Sequence, residues 1–243
     1  MKKYSPLAFL FSLLFAVSAY AGEGRYTLPL TGGGWSLWLD KEASWQNDRL
    51  YLPHEITDLS LLPVNTPTGG WQALNDNLDA VSVEVPGTVE EYLTTSDNPR
   101  PEDFKGVSWW YRKITIPADQ ANKRHLIYFE SVRMRAEVYL DGKLVAYDLI
   151  GETPFHVDIT KEAKPGTEQL LAVRVTNPGG NFHWQDFDIQ KWGEYNIPPA
   201  RSFSGIIGRV KLESVNPVFI SDIYMQNTPE PVSYTHLRAH ETC

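Results

Sequence analysis

Cysteine is nearly absent from this chain of 243 residues, and the single one, Cys243, is the last residue. No disulfide can therefore form within the chain, and burial of apolar side chains must stabilise the fold. Basic residues are also in the minority: 22 Lys and Arg stand against 30 Asp and Glu, a formal net charge of −8. An acidic surface gains nothing from counterion release, so we expect no nucleic acid and no anionic membrane as partner. The acidic charge does not exclude neutral sugars as ligands.

Long apolar runs are missing too, apart from a short stretch at the N-terminus. Lys2 and Lys3 precede an uncharged apolar segment at residues 7–17, and Ala19-Tyr20-Ala21 follows as a small-x-small cleavage site. A membrane span needs about 20 apolar residues, so this shorter stretch predicts a secretory signal peptide over residues 1–21. We therefore expect a periplasmic or extracellular mature protein that has no membrane contact after cleavage.

The sequence does contain a region whose apolar residues alternate with a period of two. The alternating runs are 109–116, 136–140, 155–159 and 171–175. Successive side chains on a strand point to opposite faces, so this pattern predicts half-buried antiparallel strands. Asp141-Gly142 follows one of the runs and suits a two-residue hairpin whose turn requires positive φ. The predicted fold class is all-β, an antiparallel β-sandwich.

Further elements are predicted outside this region. Strands are expected at 35–39, 81–85, 126–129 and 204–212. Thr88 and Glu91 have the spacing of a capping box, which predicts a short helix through Leu93. Residues 160–166 predict one helical turn that ends at Pro165-Gly166.

Several aromatic and charged side chains are assigned to the scaffold. The expected core aromatics are Trp35, Trp38 and one of Trp109 and Trp110, because aromatic side chains fill sandwich interiors. Arg133 and Arg135 near Glu137 are expected to form a surface or interdomain ion pair. Glu130 ends an apolar strand, and we expect it to be buried against an arginine without a catalytic role.

Residues 177–199 form a long segment that is dense in polar and aromatic side chains and is predicted to be a binding loop. Its candidate sugar-binding residues are Asn181, His183, Trp184, Asp186, Asp188 and Trp192. Carboxylates accept hydrogen bonds from sugar hydroxyls, and flat tryptophan rings offer an apolar face to the C–H side of a pyranose. Two alternatives stay open. The aromatic residues could fold the loop onto the sandwich while the aspartates are solvated, or the aspartates could bind Ca²⁺ or Na⁺.

Six short motifs occur in an order that resembles a known family. They are Val85-Pro-Gly-Thr-Val89, Gly106-Val-Ser-Trp-Trp-Tyr-Arg112, Val138-Tyr-Leu-Asp-Gly-Lys143, Thr153-Pro-Phe-His-Val-Asp-Ile-Thr160, Leu171-Ala-Val-Arg-Val175 and Phe203-Ser-Gly-Ile-Ile-Gly-Arg-Val210. The series resembles the N-terminal sugar-binding jelly-roll domain of glycoside hydrolase family 2, a galactose-binding-domain-like sandwich, which we place at residues 22–217. Residues 218–231 are similar to the first strand of the immunoglobulin-like domain that follows in that family, here truncated.

The resemblance implies that sugar contact and catalysis are separated. Family members are retaining O-glycosidases that use two glutamates on a (β/α)8 barrel, which needs about 250 residues of its own. No residue here is therefore assigned a catalytic role, and no metal or cofactor is implied. The expected partners are the terminal sugar of a glycoside and a missing C-terminal catalytic barrel. In family β-galactosidases an aspartate of the corresponding loop contacts the terminal sugar, and Asp186 and Asp188 are both candidates for it.

Two other functions stay open at this point. One is a free-standing carbohydrate-binding module, and the other is a noncatalytic scaffold domain that packs against a barrel and contacts no sugar. The strand-like residues 218–224 favour a longer protein, because a free module would end near Pro217.

Residues 232–243 do not fit the rest of the chain. They resemble the translation of a sequencing adapter, so we expect the natural sequence to diverge after Pro231. His236, His240 and Cys243 have a spacing that could place metal ligands on one helical face, but in such a tail the spacing would be accidental.

Overall fold

The computed structural model describes residues 24–43, 58–59, 64–75, 79–97, 104, 106–148, 151, 153–177, 191–192, 195–196, 203–221 and 223–224. The strands in these ranges are β1 (Arg25–Pro29), β2 (Gly32–Asp40), β3 (Val81–Val85), β4 (Gly87–Thr88), β5 (Gly106–Thr115), β6 (Arg124–Phe129), β7 (Arg135–Leu140), β8 (Lys143–Asp148), β9 (Phe155–Asp158), β10 (Glu168–Asn177), β11 (Lys191–Trp192), β12 (Tyr195–Asn196), β13 (Gly205–Ile206) and β14 (Val210–Val215). The helical segments are α1 (Val89–Leu93) and two 3-10 turns, Trp71–Leu74 and Ala118–Gln120. None of these described helical segments is long and apolar enough to cross a membrane.

Two antiparallel sheets face each other across the main core. One has four strands in the order β1-β14-β6-β9, and the other has six in the order β3-β2-β5-β10-β7-β8. Neighbouring strands are mostly distant in sequence, as expected for a double-sheet jelly roll. The predicted all-β antiparallel sandwich is therefore confirmed.

The inner faces of both sheets carry the residues that the period-two pattern predicts for the core. Val173 on β10 lies opposite Trp110 on β5 and Val138 on β7, and all three are fully buried. From the facing sheet, Ile127 and Leu212 complete the same cluster. Burial at about 25 cal/mol per Å² of apolar surface is the main stabilising contribution in a chain without disulfides.

The outer face of the six-stranded sheet is covered as well, which the sequence did not predict. Residues 64–75 pack over it, and the Trp71 ring lies 5.6 Å from the ring of Trp109 and 5.0 Å from that of Tyr139. Trp109 and Trp110 point to opposite faces, yet both are 0% exposed. The expectation that only one of them is core is therefore wrong.

The other two predicted core tryptophans differ from each other. Trp35 is buried in the main core, as predicted, and its indole N–H donates to the carbonyl of Leu30 at 2.7 Å. Trp38 points to the opposite face of β2, where it is only partly buried and packs against the outer cluster.

The ion pair that was predicted for the surface is buried beneath this cover. Glu137 accepts from Arg135 at 3.3 Å and from Arg174 at 2.7 Å. The side chain of Asn65 donates to the same carboxylate at 2.6 Å. A surface location is therefore wrong for Arg135 and Glu137. The reason is that residues 64–75 cover the face on which they lie.

The turns follow the sequence signals. Asp141 and Gly142 have φ angles of 47° and 80°, so the two-residue hairpin between β7 and β8 has the predicted left-handed turn. The N–H of Ala163 donates to the carbonyl of Ile159 at 2.8 Å, so one turn with helical spacing lies at residues 159–163, before the predicted end at Pro165-Gly166, and no helix is formed there.

The strands near the C-terminal end differ from the prediction. The single strand expected at 204–212 is divided into β13, which pairs with β4, and β14, which pairs with β6 and β1. Residues 218–221 and 223–224 belong to no strand, and Val218 and Tyr224 are each 85% exposed. The described residues of this segment do not form the expected strand; Phe219 alone among them is partly buried, beneath the guanidinium of Arg124. The assignment of residues 218–231 to a second domain stays a prediction.

Candidate functional site

Most of the predicted sugar-binding residues fall outside the described part of the chain. These are Asn181, His183, Trp184, Asp186 and Asp188. Trp192 belongs to β11, which pairs with β12 so that Trp192 lies opposite Tyr195. The long loop therefore contains a short two-stranded ribbon that the sequence did not predict. On either side of the loop the structure describes Asn177 and Phe203.

Asn177 marks the point where the chain leaves the sandwich. It is the last residue of β10 and is 0% exposed. Its side-chain amide donates to the carbonyl of Phe104 at 2.8 Å. Phe104 precedes β5 and packs partly buried against the main core. The start of the long loop is thus joined to the end of a second loop, which connects α1 to β5.

Glu90 joins this second loop to the far end of the long loop. One oxygen of its carboxylate accepts from the backbone N–H of Phe104 at 2.9 Å. The other accepts from the backbone N–H of Ser204 at 3.2 Å. Hydrogen bonds from a neutral donor to a charged acceptor are the stronger kind. A single side chain therefore holds two segments that are far apart in sequence.

The helix that carries Glu90 is itself fixed at both ends. The hydroxyl of Thr88 accepts from the N–H of Glu91 at 3.1 Å, which confirms the predicted N-cap. Tyr92 accepts from the N–H of Glu84 at 2.7 Å and donates to its carbonyl at 3.1 Å. A helix of five residues is not stable alone, so these contacts determine where Glu90 lies.

The backbone joins the sandwich again immediately after Ser204, where β13 lies very close to β4. Gly205 pairs with Thr88, and a Cβ at Gly205 would lie 2.3 Å from the carbonyl oxygen of Gly87. The N–H of Val89 also donates to the carbonyl of Ser204 at 2.8 Å. Glycine is therefore required at Gly205, because the backbone of β4 leaves no room for a side chain there.

Arg133 lies beside the same return point rather than in the predicted ion pair. Its guanidinium stands over the ring of Phe203 at 4.3 Å, and its backbone N–H donates to the carbonyl of Gly205 at 2.8 Å. Phe203 remains 37% exposed. A cation over an exposed aromatic ring contributes about 0.5–1 kcal/mol and further fixes this end of the long loop.

The arrangement is suited to positioning rather than to acid–base chemistry. Both oxygens of Glu90 accept backbone N–H groups, so the carboxylate is occupied by the protein itself. Among the residues that the structure describes, no group of three or more His, Cys, Asp and Glu side chains could hold a metal ion.

Glu130 is paired with an arginine, as predicted, but it is not buried. Its carboxylate accepts from Arg209 Nε at 3.0 Å and Nη2 at 3.1 Å, and the side chain is 37% exposed. Hydrogen bonds from the Arg209 side chain and backbone lower the pKa of Glu130 to about 2. It therefore stays ionised and cannot serve as a proton donor near neutral pH.

Sequence reasoning missed Glu90, Phe104 and Asn177. The capping signal at Thr88 located α1 but does not indicate where the side chain of Glu90 points. Its two partners follow it by 14 and 114 residues, and no local pattern links residues over such separations.

Comparison with known proteins identifies the domain. The family model described as "Glycosyl hydrolases family 2, sugar binding domain" matches residues 63–207. This range contains Glu90, Phe104, Asn177 and Ser204.

Two curated relatives are similar to part of this chain. A putative β-glucuronidase of Formosa agariphila is 30% identical over 185 residues, which are 74% of this chain and 19% of that protein. A β-galactosidase of Thermoanaerobacter pseudethanolicus is 32% identical over 126 residues, which are 51% of this chain and 16% of that protein. The chain thus spans less than a fifth of the length of either relative.

Solved structures share the fold. A β-glucuronidase from an uncultured Clostridium species superposes with a TM-score of 0.56 at 23% identity. The match covers 86% of this chain and 32% of the β-glucuronidase chain. The β-glucuronidase of Ruminococcus gnavus superposes with a TM-score of 0.53 at 21% identity, and the match covers 79% of this chain and 29% of that one. Since the family model extends over more than half of the sequence and the sandwich agrees with it, the chain belongs to glycosyl hydrolases family 2 and carries that family's sugar-binding domain.

Proposed function

We propose that these residues are the N-terminal carbohydrate-binding domain of a secreted family 2 glycoside hydrolase, in which a separate barrel cleaves the glycosidic bond. One observation supports this most: the ends of the polar, aromatic loop and of its neighbour are joined through Glu90 and Asn177. Ordering a loop on binding costs affinity. A loop with a fixed base therefore presents its sugar-binding side chains at a lower entropic cost.

The loop supplies the groups that recognise a sugar. Asp186 and Asp188 accept hydrogen bonds from hydroxyl groups of the terminal residue, while Trp184 and Trp192 pack against its apolar face. Discrimination comes from these hydrogen bonds, because a buried donor or acceptor left unpaired costs about 1–3 kcal/mol. The relatives named above are β-glucuronidases and β-galactosidases, so β-linked glucuronides and galactosides are the substrate classes to test first.

Cleavage requires groups that this domain does not supply. A retaining glycosidase uses two carboxyl groups about 5 Å apart on opposite sides of the bond. In this family they lie on a barrel of about 250 residues. The described residues are already committed to the sandwich, and Glu90, Glu130 and Glu137 are each engaged with protein donors. The barrel therefore lies elsewhere in the full protein.

Resequencing the gene downstream of Pro231, followed by kinetics of the encoded protein, tests this proposal. We expect several hundred further codons that include a barrel. Asp186→Ala or Asp188→Ala should lower kcat/KM by about tenfold or more, ~1.4 kcal/mol of transition-state stabilisation. Asp119→Ala is the matched control, because Asp119 is exposed beyond the opposite end of β5.

The alternatives predict different results. A stop codon directly after Pro231 would identify a free-standing module instead of a hydrolase domain. Unchanged kcat/KM in both aspartate variants would mean that the loop serves only as scaffold.

A further inference from the structure

A single carboxylate links three segments at the end of the sandwich where both loops begin and end. Glu90 accepts from the backbone of Phe104 and from the backbone of Ser204. Because the two acceptor oxygens belong to one carboxylate, the two backbone N–H groups are held side by side. Their separation cannot change without breaking one of these hydrogen bonds.

Asn177 closes this arrangement from the other side of Phe104. The N–H of Phe104 donates to Glu90 at 2.9 Å, and its carbonyl accepts from Asn177 at 2.8 Å. Both polar groups of one backbone residue are therefore satisfied by side chains that belong to two other elements, α1 and β10. Unsatisfied backbone groups are costly when buried, so each of these contacts restrains the same residue.

The elements that contribute these side chains are rigid. α1 is fixed by the Thr88 cap and by the paired hydrogen bonds of Tyr92 with Glu84. Asn177 is fully buried at the end of β10, which pairs with β5 along its whole length. Side chains held on rigid elements position a site more accurately than side chains on loops.

We propose that Glu90 is a positioning residue for sugar recognition: it fixes the end of the proposed sugar-binding loop, at Ser204, relative to the backbone of Phe104. The role rests on the proposed function only in its last step, the sugar contact. Asn177 is its partner, because it fixes the start of the long loop to the same residue, Phe104. Glu90 itself contacts no sugar and takes no part in proton transfer.

Amide hydrogen exchange of the full chain, followed by NMR, tests the linkage without any ligand. In Glu90→Ala the N–H groups of Phe104 and Ser204 should lose about tenfold or more of their protection, because each loses a charged acceptor. Glu90→Gln keeps one acceptor oxygen and presents an NH₂ group to the second donor, so only one of the two amides should stay protected. Glu91→Ala, which removes the exposed neighbouring carboxylate, should change neither.

Sugar titration of the same variants tests the positioning role. Following tryptophan fluorescence with methyl β-glucuronide and methyl β-galactoside under conditions where both variants are folded, Glu90→Ala should bind about tenfold more weakly than Glu91→Ala, beyond any loss of denaturant midpoint caused by the two unsatisfied N–H groups. Glu90→Gln should fall between them. A merely structural role would lower the midpoint and leave the affinity of the folded protein unchanged.

The outcomes separate this proposal from the one before it. Unchanged exchange at Phe104 and Ser204 in Glu90→Ala would overturn the linkage. Faster exchange with unchanged sugar affinity would overturn the positioning role. If the wild-type chain binds neither glycoside while Glu90→Ala still accelerates exchange, the linkage stands and the proposed sugar contact fails.

Discussion

Glu137 and Arg174 form an ion pair of 2.7 Å in which each side chain is only 2% exposed. The pair lies on the face of the six-stranded sheet that residues 64–75 cover, and the same guanidinium nitrogen donates to Thr176 at 3.0 Å. Removing charges from water costs several kcal/mol per ion. A buried ion pair of this kind is therefore stable only while each charged group keeps its hydrogen-bonding partners.

Glu137→Ala should destabilise the domain by about 3–5 kcal/mol, because it leaves Arg135 and Arg174 buried without their shared carboxylate. Urea unfolding gives the change in free energy. Glu168→Ala is the control: Glu168 pairs with Lys113 at 2.8 Å, but both side chains are more than half exposed, so about 1 kcal/mol or less should be lost. Equal losses in the two variants would refute the burial of the outer face.

Gly205→Ala should cost about 2–3 kcal/mol or more. The new Cβ would lie 2.3 Å from the carbonyl oxygen of Gly87, at a φ of +151° that L-residues rarely adopt. Gly33→Ala is the matched control, because a Cβ at Gly33 meets nothing within 4 Å. It should change the free energy of unfolding by no more than about 0.5 kcal/mol. A tolerated Gly205→Ala would show that β13 does not approach β4 so closely.

Stability should depend on His125 at mildly acidic pH. His125 is 1% exposed with Nδ1 2.9 Å from the hydroxyl of Ser214, and burial lowers its pKa despite the charge of Asp158. As the pH falls, the unfolded chain binds the proton before the folded protein does. The stability contributed by neutral, buried His125 is therefore fully present above the ordinary histidine pKa near 6.5. It is lost as the pH falls from there through the folded-state pKa.

Urea unfolding of His125→Gln across pH 8 to 5 checks this assignment. The wild type should lose stability more steeply below pH 6.5 than the variant does. His156→Gln, which replaces an exposed histidine of β9, should keep the wild-type slope. Identical slopes for all three proteins would exclude His125 as the titrating group.

The strands were predictable because each carries its own signal. The inward residues of β5, β7 and β10 repeat every second position, and Asp141-Gly142 marks a turn by its chemistry alone. Burial of Trp109 was not predictable in the same way. The residues that cover it, such as Trp71, come from an irregular segment without periodicity, so the sequence does not show which face they pack against.

The candidate site was predictable only in part. The density of polar and aromatic side chains predicts that residues 177–199 are a recognition loop, and this stays a prediction because most of its candidate residues lie outside the described part of the chain. The base of that loop was not predictable, because the contacts of Glu90 with Phe104 and Ser204 join backbone groups, and backbone groups leave no mark in the side-chain sequence. They become visible only once the sheets bring the loop ends together.

The most direct test is to titrate the full chain with methyl β-glucuronide and methyl β-galactoside while following backbone amide signals by NMR. We predict a saturable response to at least one glycoside, with the described signals that shift concentrated at Glu90, Phe104, Asn177 and Ser204, and no release of methanol. Saturable shifts confined to Asp119 and its neighbours at the opposite end of β5, or turnover of the glycoside by this chain alone, would contradict the account.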